Sequence, residues 1–179
     1  MLSADNALLL VIDVQEKLSA VMYHREELIG NLQKLVKGVQ VLNIPIIVTE
    51  QYPKGLGPTV QEIAKLLPGV QPLSKLSFSC TDDETFTKTL KASNRKQILI
   101  SGIECHICIY QTARDLIGSG YEVYVITDTV SSRTLDNREI GLSLMRQMGA
   151  VLTGTETVLF EMLKIAKGES YKAISQIVK

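Results

Sequence analysis

Short apolar runs, each closed by a polar residue and followed by a longer amphipathic stretch, constrain this chain more than any other feature. The first run, Ala7-Leu8-Leu9-Leu10-Val11-Ile12, closes on Asp13. A strand exposes alternate residues on opposite faces, so an unbroken apolar run reads as a strand covered on both sides, at the centre of a parallel sheet. Between Tyr23 and Leu42, apolar residues Leu28, Leu32, Leu35, Val36, Val39 and Leu42 recur at helical spacing. A second run, Ile44-Pro45-Ile46-Ile47-Val48-Thr49, has its proline at the entrance, where the missing N–H is tolerated.

The alternation continues to the end of the chain. Residues 51–57, with two glycines and a proline, read as a loop, and 59–67 as a short helix stopping before Pro68-Gly69. Residues 70–75 form a weaker strand, 82–92 a helix and 97–100 a clear strand. A helix follows from about Cys105 to Gly118, then a strand over 121–126, a helix over 135–148 and a last short strand over 150–152. Helices over 156–166 and 170–178 close the chain. Strands alternating with helices imply βαβ units with right-handed crossovers. With no repeat and no dividing linker, residues 1–179 read as one α/β domain, a doubly wound, mostly parallel six-stranded sheet with helices on both faces.

Lys plus Arg and Asp plus Glu number 19 each. Such a balance supplies no field to draw in nucleic acid or an anionic membrane, and a small-molecule substrate is the expected partner. No apolar stretch approaches the ~20 residues of a membrane helix. The run 7–12 is halted by Asp13 and preceded by no basic segment, so it does not read as a signal peptide. Cys80, Cys105 and Cys108 are too few for a disulfide framework, which fits a reducing cytoplasm.

Open parallel sheets bind ligands beyond the carboxyl ends of their strands. The polar residues there are Asp13, Glu50, Lys75, the segment Gly102 to Cys108, and Asp128. Taken singly, Asp13 reads as a turn former, Lys75 as a solvated lysine and Cys108 as a small core residue. At one sheet edge, however, an acid, a cation and a thiol make a working set. Unpaired N–H groups at a helix start and a lysine ammonium would lower the thiol pKa of Cys108. Asp13 would take the thiol proton and return it to a leaving group, and helix-start N–H groups would hold an oxyanion. These parts suffice for acyl transfer to water through a thioester.

The string Ile98-Leu99-Ile100-Ser101-Gly102-Ile103-Glu104-Cys105-His106-Ile107-Cys108-Ile109-Tyr110-Gln111-Thr112-Ala113-Arg114-Asp115-Leu116 resembles the signature of isochorismatase-like cysteine hydrolases. Leu10-Val11-Ile12-Asp13-Val14-Gln15 is similar to that family's opening strand, and Ser74-Lys75-Leu76-Ser77-Phe78-Ser79 to its lysine segment. Gly120-Tyr121-Glu122-Val123 through Asp128 matches a later strand. The resemblance spans about residues 7–155. It implies a Rossmann-like three-layer fold, a triad carried onto Asp13, Lys75 and Cys108, and a cis peptide at Ile103-Glu104. It also implies oxyanion donors at the backbone N–H groups of Glu104 and Cys108, and a homo-oligomer.

Departures from the family narrow this expectation. Nicotinamidases of the superfamily carry an Asp/His metal cluster after the second strand. Here that region reads Glu50-Gln51-Tyr52-Pro53-Lys54-Gly55, and His24 and His106 are the only histidines, so no metal or other cofactor is expected. Isochorismatases that cleave a vinyl ether lack the cysteine, so Cys108 points toward C–N or related acyl hydrolysis. The sequence resembles a metal-free branch whose substrates are unsettled. Gln15, Gln51, Tyr52 and Phe78 are candidate substrate-binding residues, with Glu50 and His106 behind them. Cys105 creates a Cys-x-x-Cys motif, a redox signature in a context unlike that of thioredoxins, and no second pair exists to complete a zinc site. A non-catalytic binding protein on the same scaffold and a thiol-redox protein stand as the alternatives to a hydrolase. Leu159, Phe160, Leu163, Ile174 and Ile177 in the final helices offer an apolar surface for self-association or for packing on their own sheet.

Overall fold

In the computed structural model, which describes residues 1–179, the apolar run becomes β1 (Ala7–Ile12), buried at every position. It lies inside a six-stranded sheet ordered β3-β2-β1-β4-β5-β6. The other strands are β2 (Ile46–Gln51), β3 (Leu73–Lys75), β4 (Gln97–Ile103), β5 (Glu122–Ser131) and β6 (Val151–Thr153), and every pairing is parallel. The helices are α1 (Glu16–Ser19), α2 (Arg25–Val41), α3 (Pro53–Leu56), α4 (Gln61–Ala64), α5 (Glu84–Ala92), α6 (Tyr110–Gly118), α7 (Leu135–Gln147), α8 (Thr155–Leu163) and α9 (Glu169–Ile177).

Strand parity divides the core into two layers. Leu9, Val11, Val48, Leu99, Tyr124 and Ile126 pack against α2, α4, α8 and α9. Their neighbours Leu8, Leu10, Ile12, Ile47, Ile98, Ile100, Val123 and Val125 pack against α5, α6 and α7. Burial of each such side chain contributes on the order of 2 kcal/mol. The doubly wound sheet with helices on both faces is therefore present, and it is wholly parallel.

Several local differences from the sequence expectation have physical causes. β5 continues past Ile126 through Thr127-Asp128-Thr129 because Val130 and Ser131 still find partners in Gly102 and Ile103 of β4, after a register shift. Residues 51–57 carry the four-residue α3, started by Pro53, which suits a first helical turn. The expected helix over 105–118 opens with a π-helical turn, Cys105–Ile109, before α6. Leu159 and Ile174 are fully buried in the chain's own core, with the half-buried Phe160 and Leu163 packed against it, so these positions serve intrachain packing, while Ile177 stays half-buried at the surface.

The close approach of β1 and β4 depends on Gly102. It has a φ of 119°, and a Cβ there would lie 2.0 Å from the carbonyl oxygen of Ile12. The backbones cannot both stay in place, so Gly102→Ala is expected to destabilise the fold by more than about 4 kcal/mol. Chemical denaturation would show this as loss of a cooperative transition or a large midpoint shift.

Candidate active site

The strand order reverses between β1 and β4, and a crevice beyond their carboxyl ends is where an open parallel sheet receives ligands. Asp13 follows β1 directly, Lys75 ends β3, and Cys108 lies in the π-helical turn after β4. Asp13 holds a left-handed backbone with φ 54°, uncommon outside glycine but tolerated by aspartate. All three side chains are buried, Asp13 completely.

Both carboxylate oxygens of Asp13 are engaged. Lys75 Nζ donates to Oδ2 at 2.7 Å and the Thr49 hydroxyl donates to Oδ1 at 2.8 Å. Lys75 also donates to Gln51 Oε1 at 2.7 Å and to the carbonyls of Ser77 and Phe78 at 3.1 and 3.3 Å. Burial opposes the lysine charge, but the Asp13 carboxylate outweighs it and holds the ammonium above its ordinary pKa. Lys75 is thus a cation in a nearly dry site. Every buried side-chain nitrogen and oxygen in the protein has a hydrogen-bond partner, so the pair is compensated.

Cys108 departs from the expected low pKa. Burial pushes its thiol up to about 12, and the charge of Asp13 adds to this, while Lys75 pulls the other way. Burial outweighs the lysine and the helix-start field on which the expectation rests. The resting site holds a neutral thiol beside a carboxylate–ammonium pair.

The other thiols follow the same rule: burial first raises Cys80 to about 11 and Cys105 to about 12. A thiol raised by folding stabilises the fold fully below the unfolded-chain value of 9.0, and less as pH climbs toward the folded value. The unfolding free energy should therefore decline from about pH 9 upward, by on the order of 1 kcal/mol per thiol per pH unit. Urea titrations at about pH 8 and pH 10 check this, and equal stabilities would contradict three buried protonated thiols.

The remaining sequence candidates divide by geometry. Gln15 is fully buried, and its amide is consumed by Gln51 and Gly57: Nε2 donates to the carbonyls of Gln51 and Gly57 at 3.0 and 2.7 Å, and Oε1 accepts from Gln51 N–H at 2.8 Å. This makes Gln15 a brace behind the site. Gln51 takes Lys75 with its oxygen and gives its Nε2 hydrogen to Leu76 O at 2.7 Å, which orients the lysine. Tyr52 and Phe78 are each more than half exposed. A cavity of about 550 Å³ opens beside them, lined by Tyr52, Lys54, Lys75, Leu76 and Asp83 among others. Asp13 and Cys108 are not among its walls, and neither are they in a 160 Å³ cavity at Tyr23, Glu27, Asp128 and Arg138.

Glu50 accepts from the Thr59 N–H and hydroxyl, both at 2.7 Å, on the opposite face of β2. Asp128 receives the N–H and hydroxyl of Thr155 at the start of α8. His106 Nδ1 pairs with Ser132 Oγ at 2.9 Å, and Glu104 Oε2 accepts from Arg133 Nε at 3.0 Å, so both tie the turn to the segment after β5. The Ile103–Glu104 peptide is cis, and the N–H of Glu104 donates to no other group of the chain. Cys105 turns its sulfur toward Arg138 O on α7, at 3.5 Å, and away from the Asp13 side that Cys108 faces. The two cysteines therefore do not share one pocket as a redox pair would. No group of three or more His, Cys, Asp or Glu gathers as a metal cluster.

Two residues of the site escape sequence reasoning: Thr49, on Asp13, and Cys80, whose Sγ lies 3.9 Å from the Thr49 hydroxyl. Parity is the signal that could have found Thr49, since it shares the face of β2 with Ile47 and Gln51 and pairs in register with Ile12.

Comparison with known proteins places the fold in a family. Residues 7–157 match the isochorismatase domain. The chain is 38% identical over 177 residues to isochorismatase domain-containing protein 2 of Danio rerio, covering 99% of this chain and 89% of that one. Among solved structures, the MAR1 ribonuclease of Caenorhabditis elegans superposes with a TM-score of 0.93 at 33% identity, over 99% of this chain and 91% of that one. YcaC of Pseudomonas aeruginosa, solved with hexane-2,5-diol and covalent acrylamide, gives 0.92 at 25% identity, over 98% and 90%. The sheet order and these matches converge, and the chain belongs to the isochorismatase-domain family.

Proposed function

We propose that this protein hydrolyses a small amide, ester or related acyl substrate, with Cys108 as nucleophile, Asp13 as general acid and base, and Lys75 as electrostatic support. The observation that carries this reading is a buried thiol close enough to feel the charge of a buried carboxylate, whose partners are a lysine ammonium and a hydroxyl.

As the sulfur attacks the substrate carbonyl, its proton passes to Asp13. The buried negative charge moves from carboxylate to substrate while Lys75 stays positive, so the dry site never gains a net charge. The free N–H of Glu104, with that of Cys108, would receive the developing oxyanion. Asp13 then protonates the departing amine or alcohol, leaving a thioester. Water, deprotonated by Asp13, attacks the thioester, the tetrahedral adduct collapses, and the proton returns to sulfur as the acid departs. Every group in this scheme belongs to the chain, the substrate or water.

The covalent acrylamide in the Pseudomonas aeruginosa relative supports a reactive group in this fold and suggests a first probe. The Caenorhabditis elegans relative is called a ribonuclease, which favours RNA cleavage as a second reading. Short-chain 4-nitrophenyl esters, primary amides and a single-stranded RNA, offered to wild type and Cys108→Ala, separate the two. Turnover of an acyl substrate that disappears in Cys108→Ala is expected. RNA cleavage without acyl turnover would replace this reading with the second one. Self-association in the cytoplasm accompanies the proposal; exposed Tyr52, Leu76 and Phe78 are one apolar group that could serve it, alongside exposed Ile140 and Val151 elsewhere on the surface.

A further inference from the structure

We infer that Thr49 and Cys80 form a positioning pair that aims the Asp13 carboxylate, with Cys80 setting the direction of the Thr49 hydroxyl. The inference deepens the proposed function by naming two residues that act on the same site through Asp13.

Thr49 is completely buried and stands where β2 pairs with the last residue of β1, one position before Asp13. Its Oγ1 meets two groups of opposite character: Asp13 Oδ1 at 2.8 Å, an acceptor, and Cys80 Sγ at 3.9 Å. A hydroxyl has one hydrogen and can point it only one way. Cys80 is fully buried and stays protonated, because burial raises its thiol, so its S–H donates to Thr49 Oγ1. The Thr49 hydrogen is then left for Asp13. Cys80 is itself fixed, because its backbone N–H donates to Thr112 Oγ1 at 3.0 Å. Thr112 lies one helical turn beyond Cys108 and so on the same helix face. The relay Cys80–Thr49–Asp13 thus runs back to the element that carries the nucleophile.

The consequence falls on Asp13. Oδ1 is held by Thr49 and Oδ2 by Lys75, and these two donors temper the carboxylate charge that the nearby Cys108 thiol feels. Removing the Thr49 hydroxyl frees Oδ1, leaves more of the carboxylate charge unscreened toward the thiol and holds the proton more firmly on sulfur. A positioning role therefore predicts slower alkylation of Cys108 in Thr49→Val. A merely structural role predicts the reverse, since a loosened site exposes the thiol.

The test measures iodoacetamide alkylation of Cys108 by peptide-mapped mass spectrometry. It compares wild type, Thr49→Val, Thr49→Ser, Cys80→Ala, Cys80→Ser and the double variant Thr49→Val/Cys80→Ala, with folding checked by circular dichroism. Thr49→Val is expected to slow alkylation about tenfold, the scale of a hydrogen bond to a charged group, and Thr49→Ser to restore it. Cys80→Ala should slow it about threefold, Cys80→Ser should restore it, and Cys80→Ala should add nothing once Thr49 is valine. Where wild type hydrolyses 4-nitrophenyl acetate, the same order is expected in kcat, with KM unchanged within about twofold. Unchanged or faster alkylation in both Thr49→Val and Cys80→Ala overturns the inference. If Thr49→Val does not fold, Cys80→Ala against Cys80→Ser decides alone. If wild type fails to hydrolyse the ester while the alkylation order holds, the hydrolase reading falls and the positioning pair stands.

Discussion

Asp13→Asn is expected to quicken alkylation of Cys108 while nearly abolishing hydrolysis. After burial, the charge of Asp13 is the largest influence holding the proton on sulfur. Replacing the carboxylate with a neutral amide removes that charge and leaves the Lys75 ammonium facing the thiol, so the thiolate fraction rises. One pKa unit corresponds to about a tenfold gain in thiolate and hence in alkylation rate at fixed pH below the thiol pKa. Hydrolysis moves the other way, since an amide cannot carry the proton from sulfur to the leaving group. Loss of a general acid and base costs on the order of 10²–10⁴ in kcat. Iodoacetamide kinetics and ester turnover on the same preparation check both halves. Parallel loss of both activities would show that Asp13 serves folding alone.

Lys75→Met should damage stability and reactivity together. The Lys75–Asp13 pair is almost fully buried, with side-chain exposures of 1% and 0%. Removing the cation leaves an uncompensated carboxylate in the core, a loss of about 3–5 kcal/mol. Gln51 Oε1 and the carbonyls of Ser77 and Phe78 lose their shared donor as well. Because Lys75 lowers the Cys108 pKa, alkylation should slow, opposite in sign to Asp13→Asn. The double variant Asp13→Asn/Lys75→Met should recover part of the lost stability, because neither buried charge is then left alone. Urea unfolding of the three variants measures this, and additive losses would contradict a coupled pair.

What could be read in the sequence was the part governed by local pattern. The unbroken run 7–12 gave a central parallel strand, and the polar residue ending each run marked the strand-end crevice where Asp13, Lys75 and the Cys108 turn now lie. The thiol of Cys108 shows the limit of that reading. A helix start and a lysine both favour thiolate, but the depth of burial, which outweighs them, is a property of the assembled layers. Gln15 is a candidate pocket residue by sequence, yet its amide is consumed by Gln51 and Gly57. Thr49 and Cys80 were invisible for the same reason in reverse: 36 and 67 positions from Asp13, they meet it only through strand pairing and the 3-10 turn Cys80–Asp82. The final helices carry apolar residues that serve an internal layer or a partner equally well, and only the packing of α8 and α9 on α2 distinguishes them.

On this mechanism Cys108 carries a covalent acyl group during turnover. Intact-mass and peptide-mapped spectrometry of wild type, quenched in acid within seconds of mixing with 4-nitrophenyl acetate, tests it most directly. One acetyl group is expected on the Cys108 peptide, lost again as turnover ends, and none in Cys108→Ala. Acetylation confined to other residues, or ester turnover that persists in Cys108→Ala, would contradict it.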